Sequence, residues 1–139
     1  AKKSEEKGIS VVLFAPIPVF RGNPKGAQPP EQLCVKEWFR PRIPKECLGL
    51  FRQERSTLES RLEKINKELD ALAATKNNIQ IYKPFDLLCS KRSNYCETYL
   101  SGIRTFRDDD HLSRDGSLLV ASDFLEFASK TGLIRRQTQ

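Results

Sequence analysis

The sequence predicts an α/β fold, and three observations carry that expectation. Residues Ile9 to Ala15 form an almost continuous apolar and β-branched run, ISVVLFA. A strand buried on both faces of a parallel sheet reads this way. Leu58, Leu62, Ile65, Leu69 and Leu72 recur at spacings of four, three, four and three, which lines them along one face of a long helix. A second short strand and a second amphipathic helix follow, and strands alternating with helices in this order belong to the α/β class.

The elements can be justified in order. Ala1 to Gly8 is polar, contains good helix formers (Lys2, Lys3, Glu5, Glu6) and ends on glycine, so it reads as the end of a helix with Gly8 at its C-cap. Pro16 and Pro18 stop the first strand. Arg21 to Pro44 is rich in Pro, Gly and polar residues, but Leu33, Trp38 and Phe39 within it need a surface to pack on. It therefore reads as an excursion from the domain and not as a linker.

The long helix is expected from Phe51 to about Thr75, with its leucine stripe packed on the sheet. A coiled-coil dimer is the alternative, although about two heptads are short for one standing alone. Asn77 and Asn78 end the helix, Ile79 to Tyr82 (IQIY) forms the second strand, and Pro84 stops it. Asp86 to Cys96 is a cysteine-bounded loop, and Ile103 to Phe106 is a short extended segment. Ser113 stands where an N-cap belongs, ahead of a helix from about Asp115 to Lys130. Its apolar face would comprise Leu118, Leu119, Phe124, Leu125 and Phe127 with Ala121 and Ala128, and Gly132 closes it.

Composition limits the functional classes. A chain of 139 residues is one domain's worth, and no apolar run approaches the roughly 18 residues that a membrane helix needs. Ala1 to Lys7 is charged and polar with no hydrophobic region behind it, so targeting information is expected to lie outside these residues. The net charge of +6 invites a nucleic-acid reading, but its distribution opposes one. Between Phe51 and Lys76 basic and acidic side chains are interleaved, as on a solvated helix face. No basic stripe with interleaved aromatics is present.

The four cysteines fall into two local pairs, Cys34 with Cys47 and Cys89 with Cys96. Neither spacing suits zinc. Two disulfides in an oxidising compartment are the preferred reading, and four reduced, buried thiols are the alternative. The first bridge would staple the proline-rich excursion, residues 21–50.

The chemistry is expected in one stretch. The single histidine, His111, lies in Phe106-Arg-Asp-Asp-Asp-His-Leu-Ser-Arg-Asp-Gly116, behind three acids and before a helix. An imidazole is the usual base for activating a serine, and it needs a carboxylate to hold its tautomer. On a tight turn the carboxylate three residues earlier reaches the ring, which makes Asp108 the candidate. Asp109 would point away, and Asp110 would cap the turn or face solvent. A surface or capping histidine is the plain alternative. A divalent metal on the acids and His111 is a further one, although the alternate-position acids of a calcium loop are missing. Neither a metal nor a cofactor is expected.

The string Asp108-Asp-Asp-His111-Leu-Ser-Arg-Asp-Gly116 resembles the last conserved block of SGNH/GDSL hydrolases, in which a DxxH segment supplies the acid and base of the triad. Its HLSxxG continuation is most similar to the version in periplasmic domains fused to membrane acyltransferases of the O-antigen acetyltransferase type. The strand Val11 to Pro18 (VVLFAPIP) and the cysteine pair flanking Asp86-Leu-Leu-Cys89 and Cys96 resemble the same subgroup. Phe106 stands where a Tyr is expected. The likeness covers roughly residues 9–20 and 84–130.

The resemblance implies the C-terminal portion of a three-layer, flavodoxin-like parallel-sheet fold. It implies His111 as catalytic base, Asp108 as its orienting acid, and no cofactor. It also implies O-acylation, most simply O-acetylation, of a cell-surface polysaccharide, in a periplasmic domain tethered to the inner membrane through a membrane acyltransferase domain. One departure matters: no serine here stands in a Gly-Asp-Ser context. Residues 1–139 are therefore expected to be a single partial SGNH-like domain whose nucleophile-bearing N-terminal half lies elsewhere, and the chain alone is expected to be inactive. A non-catalytic cell-envelope binding module using Trp38, Phe39 and the stapled loop is the alternative from another class, and dimerisation through residues 58–72 is a third.

Overall fold

A computed structural model describes residues 9–20, 52–108 and 110–134. The expected Ala1–Gly8 helix end, the 21–50 excursion and the Cys34–Cys47 pairing lie outside the described residues.

Strands β1 (Val11–Phe14) and β3 (Ile79–Tyr82) form a parallel pair, with Val11 opposite Ile79 and Phe14 opposite Tyr82. Parallel strands require a crossover, and this one includes helix α1 (Arg55–Ala74), which packs on β3. β3 matches its predicted limits. The parallel pairing is the expected one, but β1 falls short of the two-face burial read from the apolar run at 9–15: Val11, Val12 and Leu13 are half-buried, and Ile9 and Phe14 are exposed.

Helix α3 (Arg114–Lys130) covers the sheet face that carries Phe14 and Tyr82. There Phe14, Tyr82, Phe124 and Phe127 make an aromatic cluster, with centroids of neighbouring rings 4.9–6.1 Å apart. The Tyr82 hydroxyl donates to Asp123 at 2.7 Å. Desolvation, and then the Asp123 carboxylate, push the phenol well above its ordinary range.

A second core gathers Phe20, Leu58, Leu88, Cys89, Cys96 and Phe106, with Ile17, Phe85, Leu112 and Val120 packed against it. The Cys89–Cys96 disulfide lies inside it, as expected from the spacing. It ties β4 (Tyr95–Glu97) to Cys89, and β4 pairs antiparallel with β2 (Arg52–Glu54), with Cys96 opposite Gln53. β2 corrects the expectation that the long helix begins at Phe51: residues 52–54 are drawn into an antiparallel ladder before the helix starts. The loop expected from Asp86 to Cys96 likewise contains the end of the one-turn helix α2 (Phe85–Leu88) and the start of β4. Arg55, the first residue of α1, bonds the Cys89 carbonyl, Asp86 at 2.6 Å and Glu59 at 2.7 Å.

β5 (Tyr99–Leu100) and β6 (Ile103–Arg104) make a hairpin. Its two turn residues, Ser101 and Gly102, have φ of 50° and 83°. Positive φ at both central positions is the turn whose twist suits a two-residue hairpin.

The helix stripes are narrower than the sequence suggests. In α1 Leu58 is buried and Leu62 and Leu69 are half-buried, whereas Ile65 and Leu72 are exposed. In α3 the inward arc runs through Gly116, Val120, Phe124, Phe127 and Ala128, while Leu118 and Leu125 are more than half exposed. At 100° per residue, position 118 lies about 200° around the helix from position 116, so those two leucines cannot share the buried arc. Among the described residues no helix is long and apolar enough to cross a membrane.

Candidate active site

His111 sits in the loop between β6 and α3. The loop is pinched at its base by an antiparallel bridge between Phe106 and Leu112, and the Arg107 N–H donates to the His111 carbonyl at 2.8 Å. Phe106 anchors the near side in the core, edge-on to Phe20 with centroids 4.9 Å apart. Leu112 packs on the same core from the far side.

Beyond the pinch α3 begins, and its first turn shows why the residue types at 113 and 116 matter. The Ser113 Oγ accepts from the Gly116 N–H at 2.9 Å, the expected N-cap. The same hydroxyl donates to the Arg104 carbonyl at 2.5 Å, and the Ser113 N–H donates to the Thr105 carbonyl at 2.9 Å. A Cβ at position 116 would stand 1.9 Å from that Thr105 oxygen. Only glycine lets the helix start this close to the strand. Thr105 is itself fully buried, with both its N–H and its hydroxyl bonded to the Thr98 carbonyl at 2.8 and 2.9 Å.

Within the loop Asp108 does two things. Its Oδ1 accepts from the backbone N–H groups of Asp110 at 3.2 Å and His111 at 2.6 Å, which sets the turn. Its two oxygens also lie 2.9 and 3.0 Å from His111 Nδ1. Desolvation pushes the pKa of this carboxyl up, but the His111 and Asp110 N–H groups and the His111 ring outweigh it. The carboxyl is held well below the usual carboxylate range. An ionised carboxylate can only accept, so a neutral ring beside it carries its proton on Nδ1 and leaves the lone pair on Nε2.

The structure thus brings together the two residues singled out from the sequence, His111 and Asp108. It adds a third contact: Asp110 Oδ1 lies 2.7 Å from the same Nδ1. Asp110 was expected to cap or to face solvent. It is half exposed, yet it also meets the ring, and nothing in a run of acids announces which of them turns inward. Asp109 lies outside the described residues. The ring itself is open, with its side chain 62% exposed against 20% for Asp108. Among the described residues no side chain bonds Nε2. Ser113, the nearest serine in sequence, has its hydroxyl committed to the cap and to Arg104.

Ligand atoms of Asp108, Asp110 and His111 lie within 4.8 Å of one another. Two carboxylates and an imidazole are acceptable donors for a divalent ion. Nδ1, however, is the nitrogen that the carboxylates already hold, so an ion taking it would compete with the acid–base pairing.

No curated protein matches the sequence, and no solved structure matches it. The family model described as "SGNH domain (fused to AT3 domains)" matches residues 1–126, nearly the whole chain, including the His111 loop and most of α3. With its mixed α/β architecture and small parallel sheet, this chain belongs to the family of SGNH domains fused to AT3 acyltransferase domains.

Proposed function

We propose that this domain works in O-acylation, with His111 as general base and Asp108 holding its tautomer. The observation that carries the reading is the contact between Asp108 and Nδ1 at 2.9 Å, on a ring whose side chain is mostly exposed. That is the arrangement by which a carboxylate–imidazole pair serves a hydroxyl nucleophile. The nucleophile is supplied from outside these 139 residues, since no serine here has a Gly-Asp-Ser setting and Ser113 is spent on its cap.

The incoming serine loses its proton to Nε2 as its oxygen attacks the acyl carbonyl. The donor's bond to the acyl carbon breaks, and the leaving group takes the proton from Nε2. An acceptor hydroxyl then gives its proton to Nε2 and attacks the acyl carbon; the new ester forms as the bond from that carbon to the serine oxygen breaks, and the proton returns from Nε2 to the serine. Asp108 stays ionised throughout and stabilises the imidazolium. Its displaced acidity suits that role, because no pH near neutrality protonates it.

The proposed acyl group is acetyl, and the proposed acceptor a sugar hydroxyl of a cell-surface polysaccharide. The place of action is extracytoplasmic, beside the AT3 membrane domain of the fusion. Family membership and the disulfide in the core support that setting. The pairing needs no cofactor.

The test is acetyl-ester hydrolysis, and acetyl transfer to a polysaccharide, by the protein that includes the segment encoded upstream of residue 1. His111→Ala should abolish both, and Asp108→Asn should lower kcat about 10⁴-fold. Residues 1–139 alone should be inactive. A fully active His111→Ala protein, or an upstream segment without a Gly-Asp-Ser block, would overturn the reading. The second outcome would favour a cell-envelope binding module with an unused base, in keeping with the exposed His111 ring.

A further inference from the structure

We infer that Arg104 is a positioning residue of this site, acting through the backbone of the His111 loop. The inference rests on the reading of His111 as base, and it concerns what keeps that base in place.

A base must be held to within a few tenths of an ångström to be useful, yet this loop carries its chemistry in the open. The side chains of Arg107, Asp110 and His111 are each more than half exposed. Among the described residues of the loop, the hydrophobic core takes in the two ends, at Phe106 and Leu112. Between them the chain depends on polar bonds, and one side chain from outside the loop supplies two of them. The Arg104 guanidinium donates from Nε to the Phe106 carbonyl at 2.9 Å and from Nη2 to the Arg107 carbonyl. Two consecutive carbonyls are thus gripped by one rigid fork.

The second of those bonds reaches the chemistry. The Arg107 carbonyl and the Asp108 N–H belong to one planar peptide unit, so holding that oxygen holds the plane from which Asp108 departs and leaves φ as the one backbone rotation before its side chain. Asp108 then meets Nδ1 and caps the His111 N–H. On the far side of the loop, the Arg104 carbonyl receives the Ser113 hydroxyl. One residue therefore ties the start of the loop to the first turn of α3. Arg104 is set in the β5–β6 hairpin opposite Tyr99, on a turn with little freedom.

Charge alone does not explain the arrangement. Both partners are neutral carbonyls, and two in-plane donors at fixed spacing belong to a guanidinium and not to an ammonium. The substitution Arg104→Lys should therefore fail almost as fully as Arg104→Ala.

His111 is the single histidine of the chain, which makes the test direct. The chain is labelled with ¹⁵N at histidine and its ring nitrogens are read at a pH where the ring is neutral. In the native protein the proton should sit on Nδ1. In Arg104→Ala and Arg104→Lys, with far-UV circular dichroism unchanged, that form should cease to be the majority and the signals should average towards those of a free side chain. In the complete enzyme the same variants should lose about 10²-fold in kcat with KM held, the size of effect that an ångström of misplacement produces.

A native-like Nδ1 proton in Arg104→Ala overturns the inference, and so does a native-like one in Arg104→Lys, which would show that any cation suffices. If Arg104→Ala unfolds, Arg104→Lys carries the test. A native protein without the Nδ1 preference would strike the Asp108–His111 pairing itself, so the two failures are distinguishable.

Discussion

The segment from Arg104 to Gly116 and the helix α1 from Arg55 to Ala74 are held by different physics. The first is short, largely irregular and wet, yet bonds from side chain to backbone cross it repeatedly: the Arg104 fork, the Asp108 turn, the Ser113 cap and the Thr105 ladder to Thr98. The second is regular and long but fastened mainly at its start, where Arg55 and Leu58 reach the core region. Beyond that point its ties are half-buried leucines, the Arg61–Gln53 hydrogen bond at 2.9 Å and the exposed Lys83–Asp70 ion pair at 2.6 Å. Exposed pairs of this kind contribute little. Regularity and positional precision are thus separate properties here, and precision is concentrated around the one histidine.

Substitutions can break that contrast. The largest effect on folding is expected from Gly116→Ala, because the new Cβ meets a backbone oxygen that cannot yield as a flexible side chain would. Displacing Thr105 also strains the Ser113 N–H bond, so a loss of about 3 kcal/mol is expected in a urea titration. A loss below about 1 kcal/mol would mean that the first turn of α3 stands further from the strand than described. Next comes Leu58→Ala at about 2–3 kcal/mol, since it opens a cavity in the disulfide core. Leu72→Ala, two-fifths exposed on the same helix, should fall within about 0.5 kcal/mol of the native protein. Equal costs at 58 and 72 would show that something else covers the exposed half of the stripe. Ser113→Ala should cost about 1–2 kcal/mol through the lost cap, and Ser113→Thr should restore part of it.

How much of this was legible in advance follows the range of the interactions. β3, the N-cap at Ser113 and the glycine stop at 132 were readable because each is decided by residues close in sequence. The Asp108–His111 pairing was readable for the same reason, since a three-residue span on a tight turn leaves a carboxylate few other places to go. β2 and β4 were not: Arg-Gln-Glu has no strand character, and its pairing is set by Tyr95–Glu97, anchored through a disulfide some forty residues along the chain. The hairpin at Ser101-Gly102 did carry a turn signal, a Ser-Gly dipeptide, which the surrounding short segments obscured. Arg104 had no signal at all, because its role lies in where its fork points, and that depends on a loop fold that no local pattern encodes. The arc of α3 was misjudged for a simpler reason: counting apolar residues does not say which side of the helix the strand approaches.

The smallest effect sharpens the comparison through pH. Two carboxyls, one in each region, have their pKa displaced downwards. Glu63 on α1 owes this chiefly to its bond with Lys67, and both groups stand in solvent. Asp108 owes it to two backbone N–H groups and the His111 ring, which together overcome its desolvation. A carboxyl whose folded value lies below its unfolded value of about 3.9 contributes stability that is complete above that range and is lost as pH falls towards the folded value. Unfolding free energy should therefore decline below about pH 4 in the native protein, and Asp108→Asn should flatten the decline. Asparagine keeps an oxygen for the His111 N–H, so the loop need not collapse for the slope to change. Glu63→Gln should alter the slope only at low ionic strength, because salt at about 0.5 M screens an exposed pair but not bonds fixed within a loop. If salt removed both contributions equally, the Asp108 turn would be as loose as the helix surface, and the contrast between the two regions would fail at the residue on which the chemistry depends.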